Sequence, residues 1–184
     1  MFQGAGRVAL FFMVAVTTTA TAAGCAQTVT GTAQRADAGV PDPDRSYGYV
    51  DNRCGLLDDD SVKETLAGNG VTRPFSGAVC QYIVTQPAGT GSATVDVVFS
   101  WFDTGTLQRE RDLATARGAA VTDVVVERHK AFLARRDTTG AACSATAAAG
   151  TGVLSWWVQH RGQATGDPCP EAEKLLTATL RSDL

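Results

Sequence analysis

The sequence predicts an α+β domain in which an antiparallel sheet of five or six strands packs against two or three helices and is stapled by disulfides. Three observations lead to this prediction. Several segments alternate apolar and polar residues, which is typical of strands with one buried face. Other segments have capping residues at the starts expected of helices. Four cysteines, at positions 54, 80, 143 and 169, lie among these segments.

Three segments are predicted to be helices. Asp58 or Asp59 can cap a first helix that runs through Val62. A second, highly charged helix is expected over 107–119. The third, over 170–181, has a proline in its first turn and acidic residues near its positive end, both of which favour a helix start.

Six segments are predicted to be strands, and the first two of them should form an antiparallel hairpin. In the second strand Val95, Val97 and Phe99 alternate with a mixed set of residues, so one of its faces is strongly apolar. The predicted strands are 78–85, 93–102, 121–126, 131–135, 143–149 and 153–160.

The first 24 residues have the layout of a secretory signal peptide. Arg7 precedes an apolar run over 8–16, and small residues follow as far as Cys25. The run is too short to cross a bilayer. The tetrad A-A-G-C ending at Cys25 resembles a bacterial lipobox, whose cysteine is acylated and becomes the new N-terminus, although alanine stands where leucine is usual. The alternatives are ordinary signal cleavage just before this cysteine, or a retained anchor without lipid.

The cysteine count favours lipidation of Cys25. The chain has five cysteines, and setting this one aside leaves four that can pair. Two or three acyl chains hold a protein on a membrane more firmly than one chain does. The expected product is therefore an extracytoplasmic protein that is anchored through lipid to the outer face of the cell membrane.

Composition predicts the remaining organisation of the chain. The residues from 26 to 50 are rich in Thr, Ala, Gly, Asp and Pro, which is typical of a disordered tether. We therefore expect a signal peptide over 1–24, a lipidated cysteine and tether over 25–50, and a single globular domain over 51–184.

Without the signal peptide, the chain keeps all 19 acidic and 15 of its 16 basic residues, a net charge of about −4. This charge argues against nucleic acid or anionic lipid head groups as the main partner.

The four remaining cysteines allow three disulfide connectivities. We favour Cys54 with Cys80 and Cys143 with Cys169, because each pair joins a segment beside a helix to a nearby strand and closes a loop of comparable length. A four-cysteine metal site is the alternative, but the chain has neither C-x-x-C nor a nearby Cys/His pair. No metal and no cofactor are therefore predicted.

A set of short motifs occurs in a fixed order over residues 54–184. In order, they are Cys54, Cys80-Gln81-Tyr82, Phe99-Ser100-Trp101-Phe102, Arg109-Glu110-Arg111, Cys143, Trp156-Trp157-Val158, Cys169 and Leu175-Leu176. This order resembles a family of actinobacterial, chiefly mycobacterial, cell-envelope lipoproteins of unknown function, the LprB/LprC-like proteins. Tyr82, where tryptophan is common, and the alanine-rich stretch 147–149 depart from the family pattern. The resemblance implies lipid anchoring and an extracytoplasmic location, but no assigned activity and no catalytic residues.

No known catalytic motif is present. The sequence contains no G-x-S-x-G, and it lacks metalloprotease, P-loop and dinucleotide-binding motifs. Of its two histidines, His129 lies in a predicted turn and is interpreted as a solvated surface group, and His160 ends a predicted strand. We therefore expect that the protein is not an enzyme, and a hydrolase with unfamiliar residues is the weaker alternative.

Two pairs of residues are candidates for a binding surface. Glu110 and Arg111 are interpreted as part of a solvated helix face, or alternatively as side chains that turn inward to pin the helix or to line a binding surface. Trp156 and Trp157 should point to opposite faces of one strand. One ring then joins the core, and the other is either covered by a helix or forms a platform for a glycan, a lipid or a partner protein.

These observations predict a non-enzymatic binding or accessory module of the cell envelope. Its partners would be the membrane, through a lipid anchor, and an unknown envelope protein. The alternative is a carrier that holds a lipid or another apolar ligand between the sheet and the helices.

Overall fold

The computed structural model of the protein describes residues 39–136, 141–162 and 167–182. The predicted signal peptide, Cys25 and most of the predicted tether therefore lie outside the described residues. The described residues form three helices and nine strands. These are β1 (Tyr49–Val50), β2 (Arg53–Cys54), α1 (Asp59–Thr65), β3 (Gly70–Phe75), β4 (Val79–Ala88), β5 (Gly91–Phe102), α2 (Leu107–Ala116), β6 (Ala120–Val126), β7 (His129–Arg135), β8 (Ala142–Ala149), β9 (Gly152–His160) and α3 (Cys169–Arg181).

Seven of the strands form one antiparallel sheet in the order β3–β4–β5–β9–β8–β7–β6, and β1 and β2 form a separate pair. The prediction of five or six strands was wrong, because it missed β3 and the two short strands. Pro74 lies in β3, and proline argues against a strand unless the strand is at a sheet edge or carries a bulge. β3 is an edge strand, and its register shifts between Thr72 and Phe75.

The sheet consists of two meanders. The strands β3, β4 and β5 run up and down beside one another, and α2 then leads to β6 at the opposite edge. The strands β6 to β9 return across the sheet until β9 pairs with β5, with Phe99 opposite Trp156. The centre of the sheet therefore joins strands that are far apart in the sequence.

The inner face of the sheet, on which Tyr82, Val97 and Trp156 lie, packs against α1 and α3. These three side chains are fully buried. Helix α3 contributes Leu175 and Leu176 to the same core. Burying such side chains is the main source of stability in a domain of this size.

The outer face of the sheet carries only α2, which packs on β6, β7 and β8. Arg111 of α2 forms an ion pair with Asp123 of β6. Phe132 and Ala134 of β7 lie on the outer face and are buried under this helix. The residues that alternate with them lie on the inner face. The outer face of β4, β5 and β9 has no helix over it in the described part of the chain.

Two disulfides connect the elements of the inner face. Cys54 of β2 is bonded to Cys80 of β4, and Cys143 of β8 is bonded to Cys169 at the start of α3. These are the pairs that the sequence favours. Each bond joins a segment that flanks a helix to a strand of the sheet. No helix among the described residues has the length and apolar character needed to cross a membrane.

Candidate functional site

The uncovered part of the outer face is one candidate surface. Strand alternation places Ile83, Val98 and Trp157 on it, and all three are partly exposed. Val98 lies opposite Trp157 in the register of β5 and β9. Around them are small polar residues, including Ser100 and Ser155, which also lie opposite each other. The surface is therefore mixed, with an indole ring on β9, the strand next to the half of the sheet that α2 covers.

The two neighbouring tryptophans lie on opposite faces of β9. Trp156 is fully buried, its ring centroid is 5.0 Å from that of Phe99, and its indole Nε1 donates to Thr179 Oγ1 at 2.8 Å. Trp156 is therefore a core residue and is not part of a binding surface. Trp157 is only partly buried, on the outer face.

Glu110 and Arg111 lie on the side of α2 that is turned towards the sheet, where both are partly buried. The Arg111 side chain is 32% exposed and pairs with Asp123, so it fastens the helix to the edge strand β6. This placement agrees with the inward alternative for Arg111 rather than with a freely solvated helix face. The interaction is close to the surface, because the Asp123 side chain is 73% exposed.

A second ion pair borders the outer face near the end of β9. The guanidinium of Arg161 binds Asp96 in a two-point arrangement, with Nε 2.6 Å from Oδ2 and Nη2 2.6 Å from Oδ1. The side chain of Asp96 is only 16% exposed, and the arginine is 53% exposed. The pair thus makes a polar border to the apolar centre of the surface.

The lower end of the sheet is formed by the β6–β7 turn (Glu127–Arg128) and the β8–β9 turn (Gly150–Thr151), and a buried polar cluster lies there. The carboxylate of Asp42 accepts hydrogen bonds from His129 Nε2 at 2.9 Å, from the Gly150 N–H at 3.2 Å and from the Tyr47 hydroxyl. All three donors converge on one carboxylate. The cluster fastens residue 42 to two turns of the sheet.

His129 is buried in this cluster, with 3% of its surface exposed, so its interpretation as a solvated residue was wrong. Its Nδ1 lies 2.9 Å from the carbonyl oxygen of Glu127. Both ring nitrogens therefore face oxygen atoms, which fixes the orientation of the imidazole.

Opposing effects set the pKa of Asp42. Burial raises the pKa, whereas hydrogen bonds from Tyr47, from His129 and from the Gly150 amide, together with the positive charge of His129, lower it. The net result is a pKa below the ordinary value for aspartate. Burial and the adjacent carboxylate raise the pKa of Tyr47, which keeps its hydroxyl protonated as a donor.

The segment before residue 51 packs on the sheet, and so the folded part begins earlier than the sequence predicts. Tyr47 is fully buried, with its ring centroid 5.8 Å from that of Trp101. Arg45 donates to the backbone carbonyl of Ser182 beyond α3. Gly150, at φ +52°, allows this close packing, because a Cβ there would lie 1.9 Å from the carbonyl oxygen of Arg45. The composition of residues 26–50 is typical of a linker and gave no sign of these contacts.

The β6–β7 turn at the lower end has an unusual backbone. Glu127 and Arg128 both have positive φ angles, of 47° and 68°. Tight hairpin turns of this kind usually carry Asn and Gly, because left-handed conformations are unfavourable for other residues. The bond from His129 to the Glu127 carbonyl and the 2.7 Å ion pair between Arg181 and Glu127 hold the turn.

The other histidine joins β9 to α3. His160 Nε2 lies 2.6 Å from Glu171 Oε2, and Gln86 Nε2 donates to Glu171 Oε1 at 2.9 Å. Gln86 also donates to the Leu66 carbonyl after α1 at 2.8 Å. His160 is thus part of a bridge between the two helices and the sheet.

Two open grooves lie beside α3. The first, of about 520 Å³, is lined by the exposed sides of α1 and α3, and no residue of its lining belongs to the buried core. The second, of about 390 Å³, lies next to Gln86 and Glu171. No group of three or more potential metal-ligating side chains occurs in the described ranges of the chain. The larger groove therefore does not extend into the space between the sheet and the helices that a carrier would need.

Comparison with protein families identifies a relationship over nearly the whole chain. Residues 20–182 match the family described as Protein of unknown function (DUF3558). The chain belongs to the DUF3558 family. Comparisons of this DUF3558 protein with curated proteins and with solved structures gave no match. The family assignment is coarser than the resemblance to LprB/LprC-like lipoproteins, which the comparisons do not confirm.

The disulfides supply information on location that the DUF3558 assignment does not. Stable disulfides form in oxidising compartments and are rare in the cytosol. The two disulfides of this DUF3558 protein therefore indicate an oxidising, extracytoplasmic environment.

Proposed function

We propose that this DUF3558 protein is a lipoprotein of the cell envelope, anchored through acylated Cys25, whose domain is a non-enzymatic module that binds an envelope protein. The observation that carries the proposal is the open outer face of β4, β5 and β9, with Trp157 on β9, beside the half that α2 covers. Tryptophan is enriched at the centres of protein interfaces because it buries a large area and still offers a hydrogen-bond donor.

The composition of the surface supports a protein partner. Val98 and Trp157 supply apolar area, and Ser100 and Ser155 supply small groups that can bond to a partner or to water. The Asp96–Arg161 pair adds a polar border. Such a mixture is typical of interfaces that form and dissociate.

The absence of enzymatic activity is part of the proposal. His129 and His160 are each bonded to a carboxylate. In the described part of the chain, neither imidazole is hydrogen-bonded to a serine, threonine or cysteine side chain that it could activate. The proposal therefore assigns both histidines to structure rather than to acid–base chemistry.

The carrier alternative has less support. A carrier would need space between the sheet and the helices, where Trp156, Leu175 and Leu176 are fully buried in the core. The larger groove lies on the exposed sides of α1 and α3 and is open to solvent.

Labelling of cells with palmitate tests the anchor. The full-length protein should incorporate label, and the Cys25→Ser variant should not. Label in the variant would contradict acylation at this residue, and no label in either protein would contradict the anchor altogether.

Site-specific photocrosslinking in the producing cells tests the binding surface. A photoreactive residue in place of Ser155, on the outer face, should yield one defined adduct with an envelope protein. The same residue in place of Lys174, on the exposed side of α3, is the matched control and should not yield it. Trp157→Ala should reduce the adduct at position 155 by about tenfold, as expected for loss of a large aromatic interface residue. An adduct that is equally strong at position 174, or unchanged by Trp157→Ala, would contradict the proposal.

A further inference from the structure

We infer that the lower end of the domain itself docks on a lipid surface, through an apolar rim made of Phe75, Val79 and Phe102. This inference rests on the proposed function in one respect, since it takes the anchor at Cys25 to lie at a membrane. It goes beyond that function because it gives the folded domain its own contact with lipid and hence a defined orientation.

Strand register brings the three side chains of the apolar rim together. Val79 lies opposite Ser100, two residues before Phe102 on the outer face of β5, so the apolar rim is the lower margin of that face. Phe75, at the end of β3, lies opposite Gln81, two residues after Val79 on β4. Diagonal neighbours of this kind are about 7–8 Å apart, within reach of aromatic side chains. Val79 is thus the centre of a continuous row across three strands.

The apolar rim is exposed to an unusual degree. Phe75 is 58% exposed, Phe102 42% and Val79 39%. Tyr49 and Val50 are also large, apolar and exposed, at 40% and 46%, and they follow directly on Gly48, which packs against Trp101. A group of exposed large apolar residues in a soluble domain usually marks an interaction surface.

The path of the chain argues that the apolar rim contacts lipid. Asp42, near the first described residue, is held at the lower end by His129 and Gly150. Sixteen residues separate it from Cys25. The chain that leads from Cys25 therefore joins the described domain at the lower end, which is the end that carries the apolar rim.

The side chains of the apolar rim suit the boundary between lipid head groups and acyl chains. Aromatic residues are enriched at that depth, and amphipathic surfaces bind there in proportion to the apolar area that they bury. The nearby exposed charges have both signs, with Asp44, Asp51 and Asp103 against Arg128 and Lys130. Docking should therefore depend on apolar burial, and only weakly on anionic lipid or on salt.

Quenching by brominated lipid measures this contact directly. The full-length acylated protein is reconstituted in phosphatidylcholine vesicles with and without bromine on the acyl chains. Val79→Trp provides the reporter in the apolar rim, and Ala88→Trp, exposed at the opposite end of the same strand, provides the matched control. Relative to the wild-type signal, the reporter at position 79 should be quenched about threefold more than the control, because it lies within the interface.

Two further variants show whether the quenching depends on the apolar rim or on any exposed apolar side chain. In the Val79→Trp protein, Phe75→Ser with Phe102→Ser should lower quenching to the level of the Ala88→Trp control. Leu113→Ser removes an exposed leucine on α2, away from the rim, and should leave quenching unchanged. Replacing part of the phosphatidylcholine by phosphatidylglycerol should change the result little.

Flotation of the same samples distinguishes failure of the anchor from failure of the apolar rim. If the acylated protein does not float with vesicles, the anchor proposal fails. If it floats but the two reporters are quenched equally, lipid docking is overturned while the anchor stands. A reporter at position 79 that responds to protein concentration and not to brominated lipid would also overturn it, in favour of a second copy of this chain.

Discussion

The two faces of the large sheet are built from the same strands and yet differ in how much of each face the helices cover. The inner face is covered by α1 and α3, carries both disulfides and buries Tyr82 and Trp156 completely. The outer face is covered by α2 over one half only, and Trp157 stays partly exposed. The comparison separates residues that maintain the fold from residues that are available to a partner.

The largest expected effect distinguishes the two neighbouring tryptophans. Trp156→Ala should lower the free energy of unfolding by about 3–5 kcal/mol, because it leaves a large cavity on the inner face and removes the partner of Thr179. Trp157→Ala should cost about 1 kcal/mol, because its ring is already partly solvated. Urea denaturation of both variants measures the difference. Equal losses would show that the outer face is as tightly packed as the inner one.

Removal of a disulfide should have the next largest effect. Cys54→Ala with Cys80→Ala should lower the free energy of unfolding by about 3–4 kcal/mol, since the bond closes a loop with a sequence separation of 26. Cys143→Ala with Cys169→Ala should cost a similar amount, because its separation is also 26. Denaturation under non-reducing conditions gives both values. A loss below about 1 kcal/mol for either pair would indicate that packing alone holds that part of the inner face.

The cluster at Asp42 should stabilise the protein in a pH-dependent way. The pKa of this carboxyl is lower in the folded protein than its ordinary value. Its contribution is therefore fully present above the unfolded pKa, near 3.9, and is lost as the pH falls through the lower folded pKa. Asp42→Asn should cost about 1–3 kcal/mol near pH 7 through loss of charge-assisted hydrogen bonds.

Unfolding measured from neutral pH down to pH values below the folded pKa tests this expectation. The difference between the wild type and Asp42→Asn should shrink in the acid range, and the exposed Asp44→Asn should serve as the control with little effect. A difference that persists unchanged in acid would show that the carboxylate charge is not what fastens the segment to the lower end.

The smallest expected effect belongs to the outer face. The Arg111–Asp123 pair lies close to the surface, and such pairs contribute about 0.2–1 kcal/mol. A double-mutant cycle with Arg111→Ala and Asp123→Ala isolates the interaction, and added salt should reduce it. A coupling energy well above this range would place α2 among the elements that maintain the fold.

Local patterns explain which elements could be predicted. The alternation of Val95, Val97 and Phe99 predicted a strand with one apolar face, and all three are buried. Asp58 caps α1 through a 2.8 Å bond from the Ser61 amide to its carboxylate, one of the two caps expected. Such patterns depend on neighbours within a few residues, which the sequence displays directly.

Contacts between distant residues explain what was missed. The burial of His129 depends on Asp42, which is 87 positions away in a segment whose composition predicts a tether. The strand β3 was missed because proline and glycine usually interrupt strands, whereas an edge position with a bulge tolerates them. Neither relation leaves a periodic signal in the sequence.

The sequence by itself indicated six of the nine described strands, the three helices and a favoured pairing of the cysteines, because periodicity, capping and spacing are properties of short segments. Only the tertiary structure decided that β9 lies beside β5, that α2 covers half of the outer face, and that the segment around Tyr47 completes the lower end. Those outcomes depend on which apolar surfaces meet and on which buried polar groups find partners, and both are settled by the whole chain at once.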